Sequence, residues 1–87
     1  MYYVYVLYSL KDYKFYIGKC KDLYQRIEKH NNGWVRSTRY RRPLQLVHSE
    51  VFAEAKDAYL REKELKYPSA GKFKEELRKR LKLNIPL

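Results

Sequence analysis

Residues 1–18, MYYVYVLYSLKDYKFYIG, carry the pattern that decides the fold. Over about residues 2–9, β-branched and aromatic side chains alternate, which predicts a β-strand. The polar stretch from Ser9 to Lys14 predicts a turn, and a second short strand, Phe15 to Ile17, is expected to end at Gly18. Two strands joined by a short polar link predict an antiparallel hairpin.

A helix is predicted directly after the hairpin. Asp22 stands at an N-cap position, and Leu23 to about Asn31 has helical periodicity with apolar side chains one turn apart. The sequence Asn31-Asn32-Gly33 is a strong stop signal. Residues 33–43 are expected to form a long loop that ends at Pro43.

The remaining elements complete an α+β pattern. Leu44 to Phe52 is predicted to be a third strand, and a second helix is predicted from Ala53 or Glu54 to about Lys66, before Pro68. A basic last helix is predicted over Gly71 to Lys82. The order β-β-α-β-α-α predicts a small three-stranded antiparallel sheet flanked by helices.

Length and composition indicate one folded domain, residues 1–87, with its core over about 2–67 and a basic C-terminal helix over about 71–82. A hydrophobic content of 45% is too high for a disordered basic tail. The single cysteine, Cys20, excludes an intramolecular disulfide. With only two histidines beside it, a structural zinc site with four Cys or His ligands is excluded as well.

The net charge of +10 favours a polyanionic partner, with nucleic acid ahead of an anionic membrane surface. The charge is concentrated in residues 1–43, which hold ten basic and three acidic side chains. No apolar run is long enough to span a bilayer, and the N-terminus lacks the basic region of a secretion signal. A cytoplasmic location is therefore expected.

Arg26 and His30 lie four residues apart and therefore share one face of the first helix. The fork of a guanidinium binds two phosphate oxygens, and an imidazole can donate, accept or carry charge near neutral pH. The pair suits a phosphate ligand. The alternative is a solvated helix face, where Arg and His are ordinary residues.

Glu62 falls within the small and apolar stripe of the second helix, which comprises Ala55, Ala58, Tyr59 and Leu65. An inward carboxylate must find a cation, a metal or several hydrogen-bond donors. Glu62 is therefore a candidate metal ligand, with a salt bridge to Arg26 or to a lysine as the structural alternative.

Tyr5 and Tyr16 are predicted to stand near each other across the hairpin, and Gly18 beyond them allows a close backbone approach. A phenol near a cluster of cations is expected to ionise more easily and so to act as a base. Most of the other tyrosines are expected to be core or edge-strand residues.

We define the basic segment as Gly33–Arg42, in which four arginines and two aromatic residues occur without an acid. This composition is typical of phosphate contact combined with stacking on unpaired bases. A solvated charged surface is the alternative. The candidate nucleic-acid contacts are Lys19, Arg36, Arg39, Arg41 and Arg42.

Taken together, these residues resemble the GIY-YIG nuclease superfamily. Val4-Tyr5-Val6 and Tyr16-Ile17-Gly18 stand where that family has its two triplets, followed in order by Arg26 and His30, by Arg41-Arg42-Pro43, and by Glu62. The first triplet departs from GIY but keeps its central tyrosine. The resemblance covers roughly residues 2–67 and is strongest to small single domains related to the N-terminal nuclease module of the UvrC repair protein.

The resemblance implies a metal-dependent phosphodiesterase. Glu62 would hold one divalent cation, with Mg²⁺ expected first and Mn²⁺ as an alternative. Arg26 would stabilise charge on the phosphate, Tyr5 would act as base or position water, and His30 would assist proton transfer. Tyr16 would orient water or phosphate.

The leading hypothesis is an endonuclease that cuts nucleic acid, DNA ahead of RNA, with repair or processing of damaged or branched DNA as the implied pathway. One rival is a nucleic-acid-binding module without catalysis, in which Glu62 is tied into a salt bridge. Another is an accessory nuclease domain that is silent until a protein partner binds.

Overall fold

The computed structural model describes residues 1–67 and 70–81. It contains three strands and three α-helices in the predicted order, together with one turn of 3-10 helix that was not predicted. These elements are β1 (Tyr2–Ser9), β2 (Phe15–Cys20), α1 (Leu23–Asn31), the 3-10 helix (Arg39–Arg41), β3 (Leu44–Phe52), α2 (Ala55–Lys66) and α3 (Gly71–Leu81). The α+β architecture is confirmed. The predicted end of the last helix at Lys82 lies outside the described residues.

The sheet is antiparallel throughout, with β1 in the centre of the order β2-β1-β3. β2 runs past Gly18 to Cys20, so the prediction that Gly18 closes this strand is wrong. Gly18 pairs with Tyr5 in the register of the β1–β2 ladder, which continues on both sides of it. On the other edge of β1, the register with β3 shifts between Val6 and Leu7, at a β-bulge.

Alternation along β1 divides the interior into two clusters, one on each face of the sheet. Val4 and Val6 pack with the α2 residues Ala58 and Leu65 and with Leu77 of α3. On the opposite face, the neighbouring β1 side chains pack against α1, in a cluster of Tyr5, Leu7, Leu44, Tyr16, Cys20, Leu23 and Ile27. α1 therefore covers one face of the sheet, whereas α2 and α3 cover the other.

The ends of α1 follow the sequence signals. Asp22 accepts a hydrogen bond from the Gln25 backbone N–H at 3.1 Å, as an N-cap does. Beyond the helix, Gly33 takes a positive φ of 79°, a conformation that glycine adopts without strain. The Asn31 side chain pairs with both backbone groups of Leu44, at 2.9 and 3.0 Å, and so ties the end of α1 to the start of β3.

The basic segment is more ordered than the predicted loop. It contains the 3-10 helix, and Arg41 within that helix forms an ion pair with Asp12 of the hairpin turn at 2.6 Å. Arg41 also donates to the carbonyl oxygens of Lys14 and Phe15. These contacts fold the segment back onto the hairpin, which sequence spacing alone does not indicate.

α3 is attached to the same hairpin by Arg78. Its guanidinium donates to the Tyr13 carbonyl at 2.9 Å and lies over the rings of Tyr8 and Phe15. Phe73, Leu77 and Leu81 follow one another at helical spacing on α3; Leu77 is buried and Phe73 is half-buried, whereas Leu81 is exposed. Within the described ranges, none of the helices has the length and apolar character needed to cross a membrane.

Candidate active site

Four of the five predicted catalytic side chains meet on the α1 side of the sheet. The Tyr5 hydroxyl lies 2.8 Å from Nε2 of His30, and Nε of Arg26 donates to the same hydroxyl at 3.3 Å. The ring of Tyr16 lies 5.1 Å from that of His30 and 6.4 Å from that of Tyr5, measured between centroids. The predicted proximity of Tyr5 and Tyr16 is confirmed. We call Tyr5, Tyr16, Arg26 and His30 the quartet.

The quartet has a buried half and a more accessible half. Tyr5 and His30 are completely buried, whereas Tyr16 and Arg26 are half-buried. His30 therefore does not lie on a solvated helix face, which excludes that alternative for the histidine. Arg26 and Tyr16 are therefore the members of the quartet that a ligand from solvent can contact.

The electrostatics of Tyr5 differ from the expectation. Burial raises the pKa of its phenol to about 12, and the hydrogen bond from Arg26, which acts in the opposite direction, is the smaller effect. The prediction that nearby cations ease its ionisation is therefore wrong. At neutral pH Tyr5 is a neutral phenol.

The same environment keeps His30 neutral. Burial, followed by the positive charge of Arg26, lowers the pKa of His30 to about 4. The pKa of Arg26 is raised, chiefly by its hydrogen bond to Tyr5 and further by Tyr16. The quartet thus combines a permanent cation, two phenols and an imidazole that is free to accept a proton.

Gly18 makes room for this arrangement. A Cβ atom built on Gly18 would lie 2.4 Å from both Cζ and Oη of Tyr5, closer than any two such atoms can approach. The glycine thus lets the phenol lie flat against the backbone of β2. The close approach predicted at Gly18 is therefore made by the Tyr5 side chain.

Thr38 is a further member of the site that the sequence did not predict. Its hydroxyl lies 2.7 Å from Nδ1 of His30, and its side chain is completely buried. No periodicity marks a threonine between arginines in a predicted loop. The one available signal was its position in a segment that follows directly on the helix carrying His30.

Glu62 is carried by α2, the helix that packs on the opposite face of the sheet from α1. Its side chain is 15% exposed, and its carboxylate forms an ion pair with Nζ of Lys66 at 3.4 Å. The predicted inward position is confirmed, although the stripe is narrower than predicted. Ala58 and Leu65 are buried, whereas Ala55 and Tyr59 are exposed.

A cavity near one edge of the sheet is lined by residues of β2 and α2, the elements that carry Tyr16 and Glu62. It has a volume of about 210 Å³, lies between the end of β2 and the start of α2, and is lined by Tyr2, Lys19, Cys20, Lys21, Ala55 and Ala58. Cys20 on this wall lies close enough to influence the pKa of Tyr5, and Ala58 precedes Glu62 by one helical turn. Lys19 reaches across to α2, with its Nζ 5.1 Å from the centre of the Tyr59 ring.

The residues present fit a divalent cation whose remaining ligands come from the substrate and from water. Within residues 1–67 and 70–81 no group of three or more His, Cys, Asp or Glu side chains converges. Mg²⁺, however, is commonly bound through one or two carboxylates together with substrate phosphates and water. The Lys66 contact of Glu62 is longer than a typical charge-assisted hydrogen bond, which leaves this carboxylate more available than Glu50, held at 2.8 to 3.1 Å by its partners.

The arginines of the basic segment divide into two kinds. Arg36, Arg39 and Arg42 are exposed, whereas Arg41 is half-buried in its ion pair with Asp12. Two aromatic side chains in the same segment, Trp34 and Tyr40, are 72% and 76% exposed. Cations and aromatic faces thus lie on the surface that adjoins Thr38.

Comparison with known proteins identifies a domain family. Residues 1–76 match the GIY-YIG catalytic domain. The chain is 45% identical over 65 residues to a UPF0213 protein of Staphylococcus saprophyticus and 38% identical over 65 residues to one of Staphylococcus aureus, covering 74% of this chain and 78% of each relative. The solution NMR structure of a UPF0213 protein from Bacillus halodurans aligns with a TM-score of 0.54 at 38% identity, over 88% of this chain and 82% of that one.

Proposed function

Because the chain belongs to the GIY-YIG family of nuclease domains, we propose that it is a metal-dependent endonuclease that hydrolyses phosphodiester bonds in nucleic acid, with DNA preferred to RNA. The observation that carries the proposal is the quartet. A cation, a neutral imidazole and two phenols lie in hydrogen-bonding or ring contact beside an exposed basic segment. The Tyr5 hydroxyl contacts both Arg26, a cation suited to phosphate, and His30, a proton acceptor, and this link supports catalysis over binding alone.

In the proposed reaction, Arg26 and Tyr16 bind the phosphate that is to be cut, since they are the more accessible members of the quartet. The attraction of the phosphate draws the guanidinium away from the Tyr5 hydroxyl, which opens that oxygen to a water molecule. Arg26 then stabilises the negative charge that develops on the phosphate oxygens.

Tyr5 acts as a relay and does not need to be ionised beforehand. As water attacks phosphorus, its proton passes to the Tyr5 oxygen, and the hydrogen of Tyr5 passes to Nε2 of His30 over the 2.8 Å contact. His30 is neutral at physiological pH and so has a nitrogen that can accept a proton. Because the charge of Arg26 contributes to its lowered pKa, pairing of Arg26 with the phosphate would make the imidazole a better acceptor. A phenol with a pKa of about 12 also fits, because it keeps its own hydrogen until the transfer.

Glu62 would hold the divalent cation, expected to be Mg²⁺ with Mn²⁺ as a substitute. When bound, the cation would polarise the phosphate and stabilise the leaving oxygen. Lys19 and the exposed arginines of the basic segment, Arg36, Arg39 and Arg42, would bind the neighbouring phosphates. Trp34 and Tyr40 are suited to stacking on unpaired bases. Processing of damaged or branched DNA is the corresponding pathway.

The Lys66–Glu62 ion pair is the observation that favours the rival, a binding module without catalysis. A cleavage assay on supercoiled plasmid, single-stranded and branched DNA with Mg²⁺, Mn²⁺ or EDTA separates the two. We expect metal-dependent cuts that Glu62→Gln abolishes while binding to DNA is retained. Glu64→Gln is the matched control, since the Glu64 side chain is 66% exposed on the same helix and pairs with Arg61.

Cleavage by Glu62→Gln at the parent rate would refute the assignment of the metal ligand. Binding without cleavage by the parent protein with either metal would support the binding module. Cleavage that appears only after a cell extract is added would identify the accessory domain that requires a protein partner.

A further inference from the structure

Thr38 stands at the N-cap position of the 3-10 helix, where a threonine hydroxyl ordinarily caps its own helix. Here the hydroxyl makes no capping hydrogen bond and instead lies 2.7 Å from Nδ1 of His30. We propose that Thr38 is a positioning residue for the reaction, which fixes His30 in the tautomer whose Nε2 accepts the proton of Tyr5. This inference rests on the proposed function.

Because the imidazole of His30 is buried, its contact with Thr38 helps to determine which ring nitrogen carries the hydrogen. Thr38, His30 and Tyr5 are all completely buried, so water does not satisfy their polar atoms. A buried imidazole in this position must place its single hydrogen on one nitrogen and use the other as an acceptor. The partners on its two sides therefore determine the tautomer.

One assignment of the hydrogens satisfies every group in the chain of contacts. Arg26 can only donate, and it donates to the Tyr5 oxygen, which leaves the Tyr5 hydrogen for Nε2 of His30. Nδ1 of His30 then carries the hydrogen and donates to the Thr38 hydroxyl. Thr38 in turn has its own hydrogen to direct at the Val35 carbonyl, over a longer contact of 3.5 Å.

The opposite assignment leaves a group without a partner. If Nε2 carried the hydrogen, it would donate to the Tyr5 oxygen, and the Tyr5 hydrogen would need another acceptor. Among the described residues the Tyr5 hydroxyl makes hydrogen bonds to His30 and Arg26, and a guanidinium does not accept. The structure thus favours the tautomer in which Nε2 is the acceptor.

The position of Thr38 joins this pair to the proposed binding surface. Thr38 lies in the basic segment between the exposed Arg36 and Arg39, so the residue that holds His30 belongs to the segment that meets phosphate. The ionisable groups that face Tyr5 and His30 are Arg26 from α1 and Tyr16 and Cys20 from β2. None of these contacts Nδ1, whose partner is Thr38.

The tautomer can be measured without any cleavage assay. We would record ¹⁵N chemical shifts of the His30 ring in the metal-free protein near neutral pH, for the parent, Thr38→Val and Thr38→Ser. The parent and Thr38→Ser are expected to show hydrogen on Nδ1 with sharp ring signals. Thr38→Val leaves that buried hydrogen without an acceptor, so its ring signals should broaden or split into more than one set. Hydrogen on Nε2 in the parent, or ring signals of Thr38→Val that equal those of the parent in position and sharpness, would overturn the inference.

The kinetic consequence is measured on the same proteins. Loss of the correct acceptor is expected to lower kcat by about 10- to 100-fold in Thr38→Val, part of the effect of a general base, with KM little changed. Thr38→Ser should restore most of the rate. Ser49→Ala, which removes an exposed hydroxyl on β3, is the control and should cleave like the parent.

Folding and function are separated by the design. Dispersed amide spectra identify a folded Thr38→Val, and if it does not fold, Thr38→Ala and Thr38→Ser carry the same comparison. A loss of rate equal in Thr38→Ser and Thr38→Val would overturn the inference. If the parent never cleaves, the proposed function fails, while the ring shifts still decide whether Thr38 sets the tautomer.

Discussion

The α-carbon of Gly18 faces the phenol ring of Tyr5, and the space between them is smaller than a methyl group. The two residues are directly paired across β1 and β2, so neither backbone can retreat without breaking the ladder. The position of the Tyr5 hydroxyl therefore requires a glycine at position 18. The 2.8 Å contact with His30 depends on the same glycine.

We expect Gly18→Ala to displace the Tyr5 ring and to abolish cleavage or reduce it severely. Forcing a methyl group into a packed site costs about 1–3 kcal/mol of unfolding free energy, measurable by urea denaturation. Gly71→Ala is the matched control, since a Cβ there meets nothing within 4 Å, and it should be neutral or slightly stabilising. A fully active Gly18→Ala would show that the Tyr5 position is not critical.

His30 predicts a pH dependence of stability. Its pKa is about 4 in the folded protein and 6.5 in the reference state, so the unfolded chain binds the proton more readily. The contribution is complete above about pH 6.5 and is lost progressively as the pH falls toward 4. At about 1.4 kcal/mol per pKa unit, the loss amounts to about 3 kcal/mol.

Urea unfolding of the parent and of His30→Gln at several values between pH 4 and 7 measures this effect. The parent should lose more stability over this range than the variant does. An NMR titration of the parent should place the midpoint of the His30 ring near pH 4. A midpoint near 6.5 would contradict the buried, neutral imidazole on which the relay depends.

The arginines of the basic segment predict a difference in salt dependence. Arg36→Ala and Arg39→Ala should weaken DNA binding and reduce the slope of log K against log salt by about 1 for each lost phosphate contact. Arg41→Ala should leave that slope nearly unchanged, because Arg41 is engaged with Asp12. It should instead lower the unfolding free energy, by about 1 kcal/mol for a partly exposed pair.

Fluorescence anisotropy at several salt concentrations, together with denaturation curves, distinguishes these effects. A slope that changes as much for Arg41→Ala as for Arg36→Ala would place Arg41 in the interface, as its sequence context predicted. Unchanged slopes for both Arg36 and Arg39 would remove the basic segment from the interface.

The sequence predicts those features that are set by local chemistry. Alternation in β1, the Asp22 cap and the glycine after α1 are each determined by neighbouring residues, and each is confirmed. The inward position of Glu62 follows from helical periodicity in the same way. Such features need no knowledge of what packs against them.

The features that the sequence does not predict are set by contacts between distant segments. Periodicity places Arg26 and His30 on one face, but the burial of His30 depends on Thr38 folding back from a segment without periodicity. Arg41 is paired with Asp12, which lies 29 residues earlier in the chain. The pKa of Tyr5 was wrongly predicted because composition shows the nearby cations but not the desolvation that outweighs them.

The alternation of β1 also limits how this strand can change. Val4 and Val6 belong to the apolar cluster under α2 and α3, and Tyr5 between them belongs to the quartet. A substitution affects one face, but insertion or deletion of one residue within the strand would turn the phenol into the core and the valines toward α1. Natural variation in β1 is therefore expected as replacements and not as changes of length.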